Sequence, residues 1–148
     1  MIKKLTAKNF KPFGRIIYHP QKKSQSKTKN LFCIVLKETG RVGWRIAYLI
    51  VRDKVIDRLE QHPGTFESFE PVKGETLLYL ARNRNSKKIE CFYLDKPVIL
   101  DKGVWHAVAT LNGESEIKIT ENSKVKCIYW RLGFPLNSNH KNRLVSKQ

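Results

Sequence analysis

The sequence has no long apolar run. Nowhere in its 148 residues is there the stretch of about 20 consecutive apolar side chains that a membrane-crossing helix needs. The opening MIKKLTAKNF has a basic head with no apolar segment behind it, so it does not read as a secretory leader. Cysteine is scarce: Cys33, Cys91 and Cys127 are odd in number and widely spaced, which excludes a disulfide framework and the paired spacing of a zinc finger. These absences predict a soluble, cytoplasmic chain with no membrane contact. Helical periodicity is nearly missing too. Only Ala7 to Lys11 and the segment after Asp53 have room for a helical turn, and no solenoid-type repeat is present.

Acidic residues are few, 13 Asp and Glu against 29 Lys and Arg, for a net charge of +16. Such a balance raises nucleic acid as a partner, but the bases are diffuse. The one dense run, QKKSQSKTKN at 21–30, has no aromatic side chains on which bases could stack, so nucleic-acid binding is not favoured. The acids are unevenly placed. Asp53, Asp57, Glu60, Glu67, Glu70 and Glu75 face only Lys54, Arg58 and Lys73 within that segment, a local net charge of −3.

What the sequence does have is many short runs rich in β-branched and aromatic residues. PFGRIIYH, LFCIVLKET, GWRIAYLIVRDK, TLLYLARN, KIECFYL, PVILDKGVWHAVATL, SEIKITEN and VKCIYWRLGF read as strands. Asn-Ser, Asp-Lys and Asn-Gly turns separate the later ones, and Gly40 to Gly43 has hairpin character. The expected class is all-β, a sandwich or barrel with little helix. Residues 1–136 read as one domain containing a basic loop at 21–30, and 137–148 as a polar, basic tail. Cys91 and Cys127 lie in apolar strand patterns and are expected to be inert core thiols; Trp44, Trp105 and Trp130 are expected to pack the wall.

The chemistry-bearing stretch is LEQHPGTFESFEPVKG, 59–74. Glu60 and His62 are two apart, so on a strand both leave the same face, and Glu67 follows the turn favoured by Pro63 and Gly64. A fourth group is His106 in DKGVWHAVAT. Imidazoles with carboxylates suit a divalent metal such as Mn, Fe, Ni, Co or Zn, which the ligand types do not separate.

His62, Glu67 and Gly74, with Gly103 and His106 after them, resemble the two spaced motifs of the cupins, with Glu60 in place of the usual first histidine. More narrowly, LTAKNFKPFG, EQHPGTFESFEPVKG and GVWHAV resemble, in order and distance, blocks of the ureidoglycolate lyase (ureidoglycolate hydrolase) family. The resemblance spans about Leu5 to Asn122 and departs from the family at Glu67, Ala107 and Glu121. It implies a cupin-type double-stranded β-helix, or jelly-roll barrel, whose centre holds Glu60, His62, Glu67 and His106. The implied enzyme eliminates urea from ureidoglycolate, or a related small hydroxy acid derivative, to give glyoxylate. His62, His106 and Glu67 would hold the metal, Glu60 or Glu67 would be the catalytic base, and Lys73 or Arg82 would meet the carboxylate of a small anionic substrate. A homodimer is expected, since open-edged β folds of this kind hide an edge against a second copy. The alternatives are another metal-dependent cupin enzyme, an isomerase or dioxygenase, and a non-catalytic module binding a small anion or nucleic acid.

Overall fold

A computed structural model describes residues 1–20, 30–86 and 88–138. Its elements in chain order are β1 (Ile2–Lys4), α1 (Ala7–Phe10), β2 (Gly14–Ile16), β3 (Trp44–Val51), β4 (Val55–Gln61), β5 (Glu67–Lys73), β6 (Thr76–Ala81), β7 (Glu90–Tyr93), β8 (Val98–Leu100), β9 (Trp105–Thr110), β10 (Ser115–Asn122) and β11 (Ile128–Asn137). The four-residue helix α1 is held by a capping box, in which Thr6 and Asn9 each bond the other's backbone N–H through their side chains.

The strands form two sheets, ordered β1-β7-β6-β9-β4-β11 and β2-β8-β5-β10-β3. Pairing is nested: β6 with β7, β5 with β8, β4 with β9 and β3 with β10, all antiparallel. A hairpin of that nesting folded over itself is a jelly roll, as expected from the sequence, although the two sheets are hydrogen-bonded separately rather than closed into one barrel. β4 and β9 meet at a single register pair, Glu60 opposite His106. Gly74, at φ +73°, makes the turn after β5. A Cβ there would come within 2.5 Å of the Glu114 carbonyl, so only glycine fits.

The alternating pattern of SEIKITEN appears as β10, with Ile117 and Ile119 buried and their neighbours half-buried. Between the sheets these isoleucines pack with Phe69, Leu78, Leu80, Phe92, Val98 and Leu100. Each contributes about 1.5–3 kcal/mol of gross burial energy. A second apolar cluster lies on the outer face of the six-stranded sheet, where Leu59, Leu77, Tyr79 and Ala109 pack with Trp105 and Trp130. Strand β6 is therefore buried along its whole length, since both of its faces are covered.

Several sequence expectations shift. Residues 31–39, read as a strand, form none: Leu31, Phe32 and Ile34 face solvent, and the segment's backbone is held instead by a bond from Arg15 to the Val35 carbonyl. The Gly40–Gly43 break is consequently not a hairpin. The segment after Asp53 is strand β4 rather than a helical turn, because Leu59 and Ile56 need the outer cluster. Trp44 is 71% exposed, not a wall residue, since it opens the edge strand β3 with its ring on the outer face. Of the proposed basic loop, 21–29 lies outside the described residues, as does 139–148 of the tail.

Candidate metal centre

Four of the sequence-selected side chains meet on the inner side of the sandwich. β4 delivers Glu60 and ends just before His62, whose carbonyl accepts a 3.0 Å bond from the Gly103 N–H. Pro63 and Gly64 reverse the chain, and the turn is pinned to the end of β10: the Asn122 N–H bonds Thr65 Oγ1 at 3.0 Å, and the Asn122 amide bonds the Gly64 carbonyl. This brings the chain into β5, which opens with Glu67 and buries it. β9 carries His106 beside Glu60, with the Phe69 ring edge-on to the imidazole.

His62, Glu67 and His106 are each more than nine-tenths buried. The two ring centroids lie 5.0 Å apart. Glu67 Oε2 stands 3.1 Å from His106 Nε2 and 3.4 Å from His62 Nε2. The opposite ring nitrogens face carbonyls: His106 Nδ1 is 3.0 Å from the Val104 oxygen, and His62 Nδ1 is 3.3 Å from that of Lys126. A carbonyl only accepts, so each Nδ1 carries a hydrogen toward it and each Nε2 is the ring atom turned toward the carboxylate. Two ring nitrogens and a carboxylate oxygen thus confront one another at one buried point. Neither Glu67 Oε2 nor His106 Nε2 has a partner in hydrogen-bonding geometry. Such an arrangement needs a shared cation, either a proton or a metal. Metal–ligand bonds of about 2.0–2.2 Å set neighbouring ligand atoms about 3–3.5 Å apart, the separation seen here, so the residues fit a divalent ion.

Burial works against charging the His106 ring. Glu67, the Val104 carbonyl and Glu60 outweigh it and hold its pKa above the usual histidine value.

Glu60 is more open, with 38% of its side chain exposed, and its Oε1 lies 3.7 Å from His106 Nε2. With His106 it lines a 260 Å³ pocket completed by Asp53, Asp57, Arg58 and Tyr129. Glu67 instead borders a wider groove of 670 Å³ on the other side. Lys73 and Arg82 are not brought to the cluster. Lys73 ends β5, about 20 Å along the strand from Glu67, exposed and 3.9 Å from Glu116. Arg82 is exposed and donates to the Pro12 carbonyl.

Sequence reasoning missed Arg58, Tyr129 and Cys127. The β11–β4 register sets Tyr129 opposite Glu60 and Arg131 opposite Arg58, and the Arg58 guanidinium lies over the Tyr129 ring at 5.2 Å. Among the described residues Arg58 makes no salt bridge. Cys127, expected in the core, is exposed because it lies just before β11 at the open edge of the sheet. Partial burial first and then the charge of Glu60 push its pKa up, against a hydrogen bond with Tyr129. Its only local signal was position: two residues before Tyr129, on the same strand face.

No family model matches the chain, and no curated protein matches it. Among solved structures it is similar to oxalate oxidase in complex with the substrate analogue glycolate, at 16% identity and a TM-score of 0.49, covering 58% of this chain and 45% of that one. It is also similar to Bacillus subtilis oxalate decarboxylase, studied for its Mn(II) centres, at 14% identity and a TM-score of 0.47, covering 62% of this chain and 24% of that one. The chain thus spans less than half the length of either.

Proposed function

We propose that the protein is a metal-dependent, cupin-type lyase that releases urea from ureidoglycolate, or from a closely related small hydroxy acid derivative, leaving glyoxylate. The observation that carries the reading is the convergence of His62, His106 and Glu67 on one buried point beside a pocket walled by Glu60. A divalent metal held by those three side chains would act as a Lewis acid toward the substrate's hydroxyl and carboxylate oxygens.

The chain's own groups account for the rest. Arg58, over the Tyr129 ring, offers a planar pair of donors to the substrate carboxylate, taking the role expected of Lys73 or Arg82. Asp53 and Asp57 accept from the ureido N–H groups. Glu60 takes the hydroxyl proton; as the O–H electrons form the carbonyl, the carbon–nitrogen bond breaks. Glu60 then returns the proton to the departing nitrogen, so urea leaves neutral and the carboxylate is regenerated. The test is incubation of the metal-loaded protein with ureidoglycolate: glyoxylate and urea in equal amounts are expected, and release of neither overturns the lyase reading.

The exposed face of β3 supports the proposed homodimer. Trp44, Ile46, Tyr48 and Ile50 all leave one face of an edge strand that, among the described residues, pairs only with β10. Two copies joined antiparallel about Ala47 would set Trp44 opposite Ile50 and Ile46 opposite Tyr48, an apolar match. Sedimentation at micromolar concentration should show a dimer that Ile46→Lys splits; a monomeric unaltered chain removes the proposal.

A further inference from the structure

The thiol of Cys127 is placed where a metal could use it. Ile128 pairs with Gln61 and Tyr129 with Glu60, and Cys127 and His62 are the residues next beyond the Ile128–Gln61 pair, one just before β11 and the other just after β4. Glu60, His62 and Cys127 each offer a ligand atom within 4.8 Å of the others. This is a second triad, sharing His62 with the buried one but opening to solvent at the thiol. The adjoining buried half of the cluster calls for a cation next to the shared His62: Glu67 Oε2 and His106 Nε2 have no hydrogen-bond partner.

We propose that Cys127, at the mouth of the centre, supplies a thiolate ligand to the same thiophilic divalent cation that His62 helps to hold, with Glu60 beside it left free as the base, an inference that rests on the metal-dependent function proposed above. On binding, the S–H bond breaks, a bond from Sγ to the cation forms, and the proton leaves through the open side; no electron is transferred. A thiolate beside imidazole and carboxylate shifts preference toward Zn and Co and away from Mn, which favours oxygen ligands. The sulfur also gives the mouth a ligand that substrate can displace while the buried histidines stay in place.

Cobalt(II) added to the full-length, metal-free protein tests this, because thiolate ligation adds an intense near-ultraviolet charge-transfer band to the visible bands of the bound ion. The unaltered chain should show both. Cys127→Ser should keep the visible bands and lose the near-ultraviolet one, whereas Cys33→Ser and Cys91→Ser should keep both. Visible bands without the charge-transfer band in the unaltered chain, or that band surviving in Cys127→Ser, overturn the thiolate alone. Failure of cobalt to bind at all overturns the thiolate together with the metal-dependent function.

Discussion

Replacing His106 with alanine is expected to weaken divalent-metal binding by at least about a hundredfold and to abolish release of glyoxylate from ureidoglycolate. Loss of a residue that merely orients a ligand costs about 10–100-fold in affinity, so losing a ligand should cost more. The same change leaves the Glu67 carboxylate buried without the nearer of its two histidines. Unpairing a buried charge costs about 3–5 kcal/mol, so the metal-free variant should also melt earlier. His106→Gln, which keeps a polar partner for Glu67, carries the same test if the alanine variant does not fold. Metal content after dialysis, read beside far-ultraviolet circular dichroism, decides the matter: unchanged metal content in a folded variant would overturn the assignment. The unaltered protein adds a pH signature. Because the pKa of His106 is raised in the fold, its protonation stabilises the metal-free protein fully below the unfolded value of about 6.5. That contribution is lost as pH climbs through the folded value. Metal competes with that proton, so affinity should run the opposite way and fall as the solution is acidified. Titrations and urea melts across the neutral range should show the two opposed slopes.

Phe92→Ala is expected to cost about 3–5 kcal/mol of stability, the usual penalty for emptying a large buried site. The Phe92 ring is fully buried and stands edge-on to both Phe10 and Phe13, at centroid separations of 5.6 and 5.8 Å. Those two partners come from the N-terminal segment, so the lost ring also loosens α1 and β2 from the sandwich. Total stabilities of single domains are about 5–15 kcal/mol, and a loss of this size should be visible as a large fall in the denaturation midpoint with an unchanged slope. A shift under about 1 kcal/mol would mean that the N-terminal segment does not pack against β7 in this way.

The parts of the fold legible in the sequence are those written locally. Alternation in Ser115–Asn122 marked β10 and its buried face, and the apolar run at Thr76–Ala81 marked a strand, which the structure covers on both sides. His62, Glu67 and His106 were legible because a two-residue step, a Pro-Gly turn and a short glycine-to-histidine spacing are readable without knowing the fold. Arg58, Tyr129 and Cys127 were not, since what brings Tyr129 to Arg58 at the pocket, and Cys127 to the neighbourhood of Glu60 and His62, is the β4–β11 pairing between segments far apart in the chain. Residues 31–39 misled for the converse reason: their apolar, β-branched composition suits a strand, yet among the described residues no neighbouring strand pairs with them. Lys73 and Arg82 were selected for charge alone, and strand direction carries each away from the cluster.

The lone register pair between β4 and β9 divides the six-stranded sheet into two panels, one ending in β9 and the other made of β4 and β11. His106 belongs to the first panel and His62 to the second. An ion gripped by both imidazoles would therefore rivet the two panels across that joint, so the chemistry of the centre and the rigidity of the sandwich would be set by the same bond.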